Sequence, residues 1–374
     1  MHPTDRTWAE IHLNHLTHNY NTIRAHLPET CHIMGVVKAN AYGHGAPPVA
    51  THLAEIGCNY FAVVCLSEAM ALRTAGIHQP ILVFAYTDPK YAALLAENKL
   101  TQAVNSLEMA EALNHALSGT GQRLTVHITL DSGLGRLGFP CRAVEPRDAL
   151  AVMALPNLKV EGIFTHFSVA DTDEDDYTLG QLDYFTAAAD WLEAQSGQSL
   201  PLRHAAGTGA TLRLEAAHLN MVRPGLSLYG YSPNPTLIPA DLKPVMELKT
   251  RLIQVRDFAE GEYISYGKTY QTRKNQRLAV VPVGYADGLH RVLSGKIDML
   301  VHGRRAPQVG RICMDLCMID VTGIEKISLG DTVTVFGRDG NESQPVSHLA
   351  QLAGTIPYEL LCGISPRVPR VYSP

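Results

Sequence analysis

The sequence predicts an α/β chain: an N-terminal (β/α)8 barrel of the TIM type over residues 11–240, then a β-strand-rich domain over residues 241–374. Three observations carry that expectation. Short apolar runs alternate with amphipathic stretches through roughly the first 230 residues. The connections between them are short. After "LYGYSPNPTLIPADLKP" the prolines give way to β-rich runs separated by turn residues at near-regular intervals.

In chain order, the strand-like runs of the first part are "HIMGVV", "YFAVV", "ILVFAY", "LTQAV", "LTVHITL", "VEGIFTHF", "LRHAA" and "LNMVRPG". Between them lie "APPVATHLAEIG", "SEAMALRTAG", "SLEMAEALNHAL" and "LGQLDYFTAAADWLEAQ", whose apolar residues recur at three-and-four spacing. "SEAMAL" and "SLEMAEAL" each open on a serine placed to cap a helix. An open doubly wound sheet is the alternative, but no GxGxxG follows the first strand. The second domain reads as strands through "ELKTRLIQVRDF", "RLAVVPVGYADG", "KIDMLVHG", "APQVGRICMDLCMIDV" and "GDTVTVFGRDG". The acidic run Asp171–Asp176 reads as a solvated loop.

Several function classes are disfavoured. A formal charge of −5 provides no polycationic surface for nucleic acid. Seven cysteines, an odd number without a CxxC pair, fit reduced thiols in a cytoplasmic protein and no zinc site. The 17 histidines are scattered, several of them (His12, His15, His18) on an expected helix surface, so no metal is expected. The N-terminal stretch lacks a signal-peptide apolar region, and no run reaches the ~18 residues of a membrane span.

In a (β/α)8 barrel, chemistry sits at the C-terminal ends of the strands. Those positions hold Lys38 after the first strand, Arg136 after the fifth, His166 at the end of the sixth and Arg223 after the eighth. Four cationic or ionisable groups at one mouth repel each other unless an anion sits among them. A phosphorylated cofactor meets that need. A lysine among cations, partly buried, has its pKa lowered and can attack an aldehyde as a neutral amine, which points to pyridoxal phosphate. Arg223 as the partner of the pyridine nitrogen leaves that nitrogen unprotonated. The result is a weaker electron sink, suited to proton exchange at Cα.

The motifs "VVKANAYGHG", "LDSGLGRLG", "GIFTHFSVAD", "NMVRPGLSLYG", "YISYGKTY", "VPVGYADG", "VGRICMD" and "IPYELLC" together give the chain a resemblance to the alanine racemase family over nearly its whole length. The resemblance implies an isomerase that interconverts L-alanine and D-alanine, supplies D-alanine for peptidoglycan, and works as a head-to-tail homodimer with shared active sites. It implies that residues 1–10 join the β domain. Lys38 would carry pyridoxal phosphate and act as one base, with Tyr266 from the partner subunit as the other. Arg223 would face the pyridine nitrogen, with His166 between Arg223 and Tyr266. Tyr42, Thr208, Tyr358 and the backbone at Gly225 and Leu226 would hold the phosphate. Arg136 and the Met314 amide, the latter from the partner subunit, would hold the substrate carboxylate. Asp171, Tyr285, Arg291 and Arg311 match the corridor by which substrate arrives.

Three positions depart from the family pattern. Thr129 stands where many members carry a carbamylated lysine bracing the arginine that matches Arg136; a small anion such as chloride is one substitute, water the other. Gly207 and Thr208 replace an Asn-Ser pair, and Leu316 stands where glutamine is frequent. A serine or broad-specificity racemase is the main competing function. Less favoured are a pyridoxal-phosphate decarboxylase, which needs an acidic partner for the pyridine nitrogen, and a non-catalytic single barrel, which lacks a domain for Tyr266.

Overall fold

The computed structural model describes residues 6–374, so part of the segment expected to join the β domain, residues 1–5, lies outside the described residues. The chain folds as two compact units. One comprises Leu16–Ala41 and Ala46–Lys243; the other takes residues 6–15, Tyr42–Gly45 and Pro244–Pro374.

The larger unit is a parallel barrel. Its strands are His32–Val36, Tyr60–Val63, Ile81–Val83, Leu100–Val104, Leu124–Asp131, Leu158–Phe164, Leu202–His204 and Met221–Val222, and each of the first seven pairs in parallel with the next except across the closing seam. The eighth strand pairs with the first, Met221 opposite His32. Between the seventh and eighth, the Arg223 N–H donates to Ala206 C=O at 2.9 Å and the Asn220 side chain accepts from the Arg203 N–H at 2.7 Å. The strands are short and almost continuously apolar, as strands covered on both faces are.

Helix caps follow the sequence in one place and not in another. Ser106 caps Leu107–Ala116, its hydroxyl accepting the Met109 N–H at 3.2 Å. Ser67 does not cap. The helix Leu66–Thr74 starts two residues earlier than the serine requires, with Cys65 at the cap position and no side-chain cap bond. Glu68 supplies a carboxylate there instead, which accepts the Val64 N–H at 2.8 Å. The acidic run is only partly loop, because Asp175 and Asp176 form the first turn of the helix Asp175–Ser196, where negative charge meets the positive end of the helix dipole. That helix buries Leu182, Phe185, Ala188, Ala189 and Leu192, a three-and-four stripe worth about 1.5–3 kcal/mol for each large side chain.

The smaller unit is built on a sheet ordered Gln254–Phe258, Gln276–Val281, Cys317–Asp320, Arg304–Val309, Asp298–Val301, Thr332–Asp339, Met246–Arg251, Trp8–His12 and Arg370–Ser373. Trp8–His12 runs antiparallel to Met246–Arg251 and parallel to Arg370–Ser373, so this part of the N-terminus belongs to the β unit. His12 therefore ends a strand and does not lie on a helix surface. A separate hairpin pairs Tyr263–Ile264 with Tyr270–Gln271. Ile264 and Tyr270 anchor it by packing with Leu278, Val309 and Met318.

Candidate active site

The first barrel strand ends at Val36, and the chain then turns with the wrong hand. Ala39, Asn40, Ala41 and Tyr42 have φ of 52°, 54°, 54° and 52°. For residues with a Cβ this left-handed conformation costs about 1–2 kcal/mol each. Strain of that size persists only where surrounding bonds enforce it, and it clusters at functional sites. Here Ala41 N–H donates to Val37 C=O at 2.9 Å, Ala39 N–H to Glu68 Oε1 at 2.7 Å, and Ala46 N–H to Asn40 Oδ1 at 2.8 Å. Lys38, half-buried, opens this turn.

Arg223 is buried at the mouth of the same unit, and among the described residues no carboxylate touches it. Its guanidinium bonds Thr165 C=O at 2.7 Å, Ala205 C=O at 2.9 Å, His204 Nδ1 at 2.9 Å and His166 Nδ1 at 3.2 Å. Burial, then Arg136, push its pKa down to about 9, which still leaves it cationic at neutral pH. A guanidinium only donates, so both imidazoles must accept at Nδ1 and carry their proton on Nε2. His204 Nε2 then donates to His127 Nδ1 at 2.9 Å, and His127 Nε2–H faces Glu161 at 3.6 Å. Tyr60 donates to the same Glu161 oxygen at 2.8 Å. His127, followed by Tyr60 and Lys159, holds the Glu161 carboxyl down at about 2 against the opposing effect of burial. Burial, then Arg223, hold His204 neutral. Donation thus runs from Arg223 to His204 and from His204 to His127, whose Nε2–H faces the Glu161 carboxylate at 3.6 Å without a hydrogen bond.

His166 shows how the mouth is charged. Burial drives its pKa down to about 3, with Arg223, Arg136 and Lys38 contributing in that order. Of the four groups expected at the strand ends, Arg223 and His166 are in contact, Arg136 and Lys38 act on His166 through charge, and His166 is neutral with Nε2–H as its donor.

Arg136 lies on an exposed loop braced by Asp131, whose carboxylate accepts the Gly133 N–H at 2.9 Å and the Gly135 N–H at 3.1 Å. Gly138 closes the loop at φ 119°, where a Cβ would stand 2.8 Å from Thr129 C=O. The Thr129 hydroxyl is buried without a partner among the described residues. Thr208 accepts the Gly225 N–H at 3.1 Å, which leaves its own proton free to donate; Ser227 Oγ lies at 3.3 Å. Gly207 is explained by crowding, since a Cβ there would sit 3.0 Å from His166 Cε1. Asp171 is exposed, and its carbonyl accepts from Asn234 at 3.0 Å.

The remaining residues belong to the β unit. Tyr42 and Tyr358 have ring centroids 5.8 Å apart, and burial, then the neighbouring Tyr358, raise the Tyr42 phenol. The glycines after Tyr42 are required: a Cβ at Gly43, φ 84°, would meet the Leu361 carbonyl. Tyr266 stands at the tip of the small hairpin, 72% exposed, between Ser265 and Gly267, both at positive φ. Ser265 Oγ donates to Arg311 C=O at 2.8 Å, Ile312 N–H to Ser294 Oγ beside Arg291 at 3.0 Å, and Tyr285 N–H to Cys313 C=O at 3.1 Å. Tyr266, Tyr285, Arg291, Arg311 and Met314 are thus gathered around one segment, Arg311–Leu316.

That segment is tied down by Asp287. Its side chain is fully buried and accepts from Arg6 and Arg367, each at 2.7 Å, and from Gly284 N–H at 2.9 Å; Arg367 continues to Asp315 at 2.8 Å. Asp287→Asn should cost about 3 kcal/mol in urea unfolding, the low end for a broken buried pair because both arginines keep some solvent. The arginines and Gly284 outweigh burial and hold the carboxyl below its usual range. Its contribution is therefore full above the unfolded carboxyl pKa of about 3.9 and is lost as pH falls through the lower folded value. An Asp287→Asn protein as stable as the parent at pH 7 would show that the network holds nothing.

The N-terminal domain of alanine racemase, as a family profile, matches residues 11–233, and the C-terminal domain matches residues 245–372. The alanine racemase of Desulfovibrio desulfuricans is 44% identical over 98% of this chain and 97% of its own, and that of Methanococcus maripaludis 42% identical over 98% of both. Among solved structures, alanine racemase of Clostridium difficile superposes with a TM-score of 0.93 at 37% identity over 98% of this chain and 95% of that one. The Bacillus anthracis enzyme with bound L-Ala-P superposes at 0.92 and 36%, over 99% and 95%. Family profiles spanning both domains, identities above 40% over nearly the full length, and a barrel that gathers Lys38, Arg136, His166 and Arg223 agree: this chain belongs to the alanine racemase family of enzymes.

Proposed function

We propose that the protein interconverts L-alanine and D-alanine with pyridoxal phosphate held at Lys38, and that it supplies D-alanine for peptidoglycan. The observation that carries this is the cationic cluster at the barrel mouth, where Arg223 is buried against His166 and where Arg136 and Lys38 both act on that imidazole. The residues present fit the cofactor. The cluster matches its phosphate and phenolate charge, Arg223 offers the pyridine nitrogen a cation that cannot give up its proton, and Thr208 retains a hydroxyl proton to donate. Tyr42, Tyr358, Gly225 and Leu226 are the further phosphate contacts we assign, and Arg136 the contact to the substrate carboxylate.

Pyridoxal phosphate, when bound, supplies an electron sink that acidifies the substrate Cα–H. The chain's own residues do the rest. The Lys38 amine removes or returns a proton on one face. Tyr266 of the partner subunit does so on the other, because racemisation needs a second base opposite the first. Met314 of the partner subunit assists with the carboxylate through its amide, so the working form is a homodimer with shared sites. Asp171, with Tyr285, Arg291 and Arg311, lines the approach. Seven cysteines, none of them in a disulfide among the described residues, fit a reducing, cytoplasmic setting. Among the described residues no helix is long and apolar enough to cross a membrane.

Loss of circular dichroism from L-alanine, with serine in parallel, tests the activity; racemisation of neither would sink it, and equal efficiency on both would make the enzyme broad-specificity.

At Thr129, a buried hydroxyl with a proton to give, near a cationic loop, suits a small anion better than water. Replacing chloride by a bulky anion at constant ionic strength should lower kcat severalfold, and a bromide-soaked crystal should show anomalous scattering beside Arg136. An indifferent rate with no halide peak leaves water in that place.

A further inference from the structure

The left-handed turn after Lys38 satisfies its later amides internally, as with Ala41 N–H on Val37 C=O, but its first amide, that of Ala39, turns to a side chain remote in sequence. Glu68 Oε1 accepts that N–H at 2.7 Å while Oε2 accepts the Val64 N–H at 2.8 Å. One carboxylate therefore ties the peptide that follows Lys38 to the end of the second barrel strand. We infer that Glu68 is a positioning residue for Lys38, fixing the direction in which the lysine leaves the barrel by clamping the Ala39 amide. The inference rests on the reading of Lys38 as the cofactor-bearing lysine.

The chemistry of the side chain is specific. Two amide donors arriving together need two acceptor oxygens. Glutamine offers one, and its NH2 would face the other N–H donor to donor. Aspartate is a methylene too short to span both. Without the clamp, nothing on the Ala39 amide opposes relaxation of a turn that is intrinsically unfavourable for four residues with a Cβ. A lysine displaced by an ångström still carries its amine but presents it off line.

The test compares holoenzymes of the parent, Glu68→Ala, Glu68→Gln and Ala71→Gly. The last lies on the exposed face of the same helix and weakens it without touching Ala39. In Glu68→Ala, kcat for L-alanine should fall by about 10- to 100-fold with KM changed less than about threefold. Deuterium uptake of the peptide covering residues 37–45, read by mass spectrometry, should quicken by at least about tenfold. Glu68→Gln, keeping one bond, should fall between. Ala71→Gly should lower the melting temperature and leave both readouts at parent values. Parent-like exchange and kcat in Glu68→Ala overturn the inference, and so does Ala71→Gly reproducing its losses or Glu68→Gln matching the parent in both. Borohydride reduction of the parent separates this from the wider reading. Label on Lys38 with silent Glu68 variants removes only the inference, whereas label on another lysine removes both.

Discussion

Lys38→Ala should abolish racemisation, with kcat down by at least about 10^4-fold, because one substitution removes both the covalent anchor and a base. Among the described residues of the barrel unit, Lys90 is paired with Asp88 at 2.9 Å, Lys99 directly precedes the fourth strand and Lys159 lies at the start of the sixth, both at the end opposite the mouth, and Lys243 is exposed at the last residue of the unit. Arg223, Arg136 and Lys38 all weigh on His166 and, after burial, help hold that imidazole neutral. Reduction with borohydride followed by peptide mapping should find the pyridoxyl group on Lys38 in the parent and nowhere in the variant. A variant rate within tenfold of the parent would mean that Lys38 is neither anchor nor base.

Much of this site is legible in the sequence because a barrel concentrates function at strand ends, and strand ends are visible as the places where apolar runs stop. Lys38, Arg136, His166 and Arg223 emerge that way. What lies behind them does not. His127 and Glu161 sit inside apolar strands at inward-facing positions, and only their contrast with neighbouring Val, Ile and Leu marks them. Their meaning depends on which strands are adjacent, which no local pattern states: His204 reaches His127 across 77 residues of chain. Glu68 is similar, since a helix-start glutamate looks like ordinary capping until the fold brings Ala39 to it. The Ser67 cap fails for the same reason, because Glu68 meets the local demand better. The left-handed turn is hinted at only by Asn40 and the glycines of "YGHG"; Ala39, Ala41 and Tyr42, which also adopt it, carry no signal of their own.

Tyr266→Phe should lower kcat for L-alanine by about 10^2- to 10^4-fold while leaving cofactor binding near normal, because a phenol proton is lost and a ring is kept. The reason to look for its function on another chain is where the hairpin puts it. A tyrosine 72% exposed, flanked by Ser265 at φ 67° and Gly267 at φ 73°, is an unfavourable arrangement for a surface that faces only water. Around it stand Met314, 53% exposed, and Tyr285, 43% exposed, on the segment that Asp287 fixes. Large exposed apolar groups gathered on a braced frame mark a surface meant to be covered. If a second copy covers it in a twofold dimer, each catalytic site draws Lys38 from one chain and Tyr266 from the other. Inactive Lys38→Ala and Tyr266→Phe chains, mixed and allowed to exchange, then form hybrid dimers with one site restored and one doubly defective. Random reassortment makes half of the dimers hybrid, so about a quarter of the parental activity should return. Exchange is followed independently by giving the two chains different masses. If hybrid dimers form and no activity returns, the sites are not shared, and Tyr266 acts within its own chain or not at all.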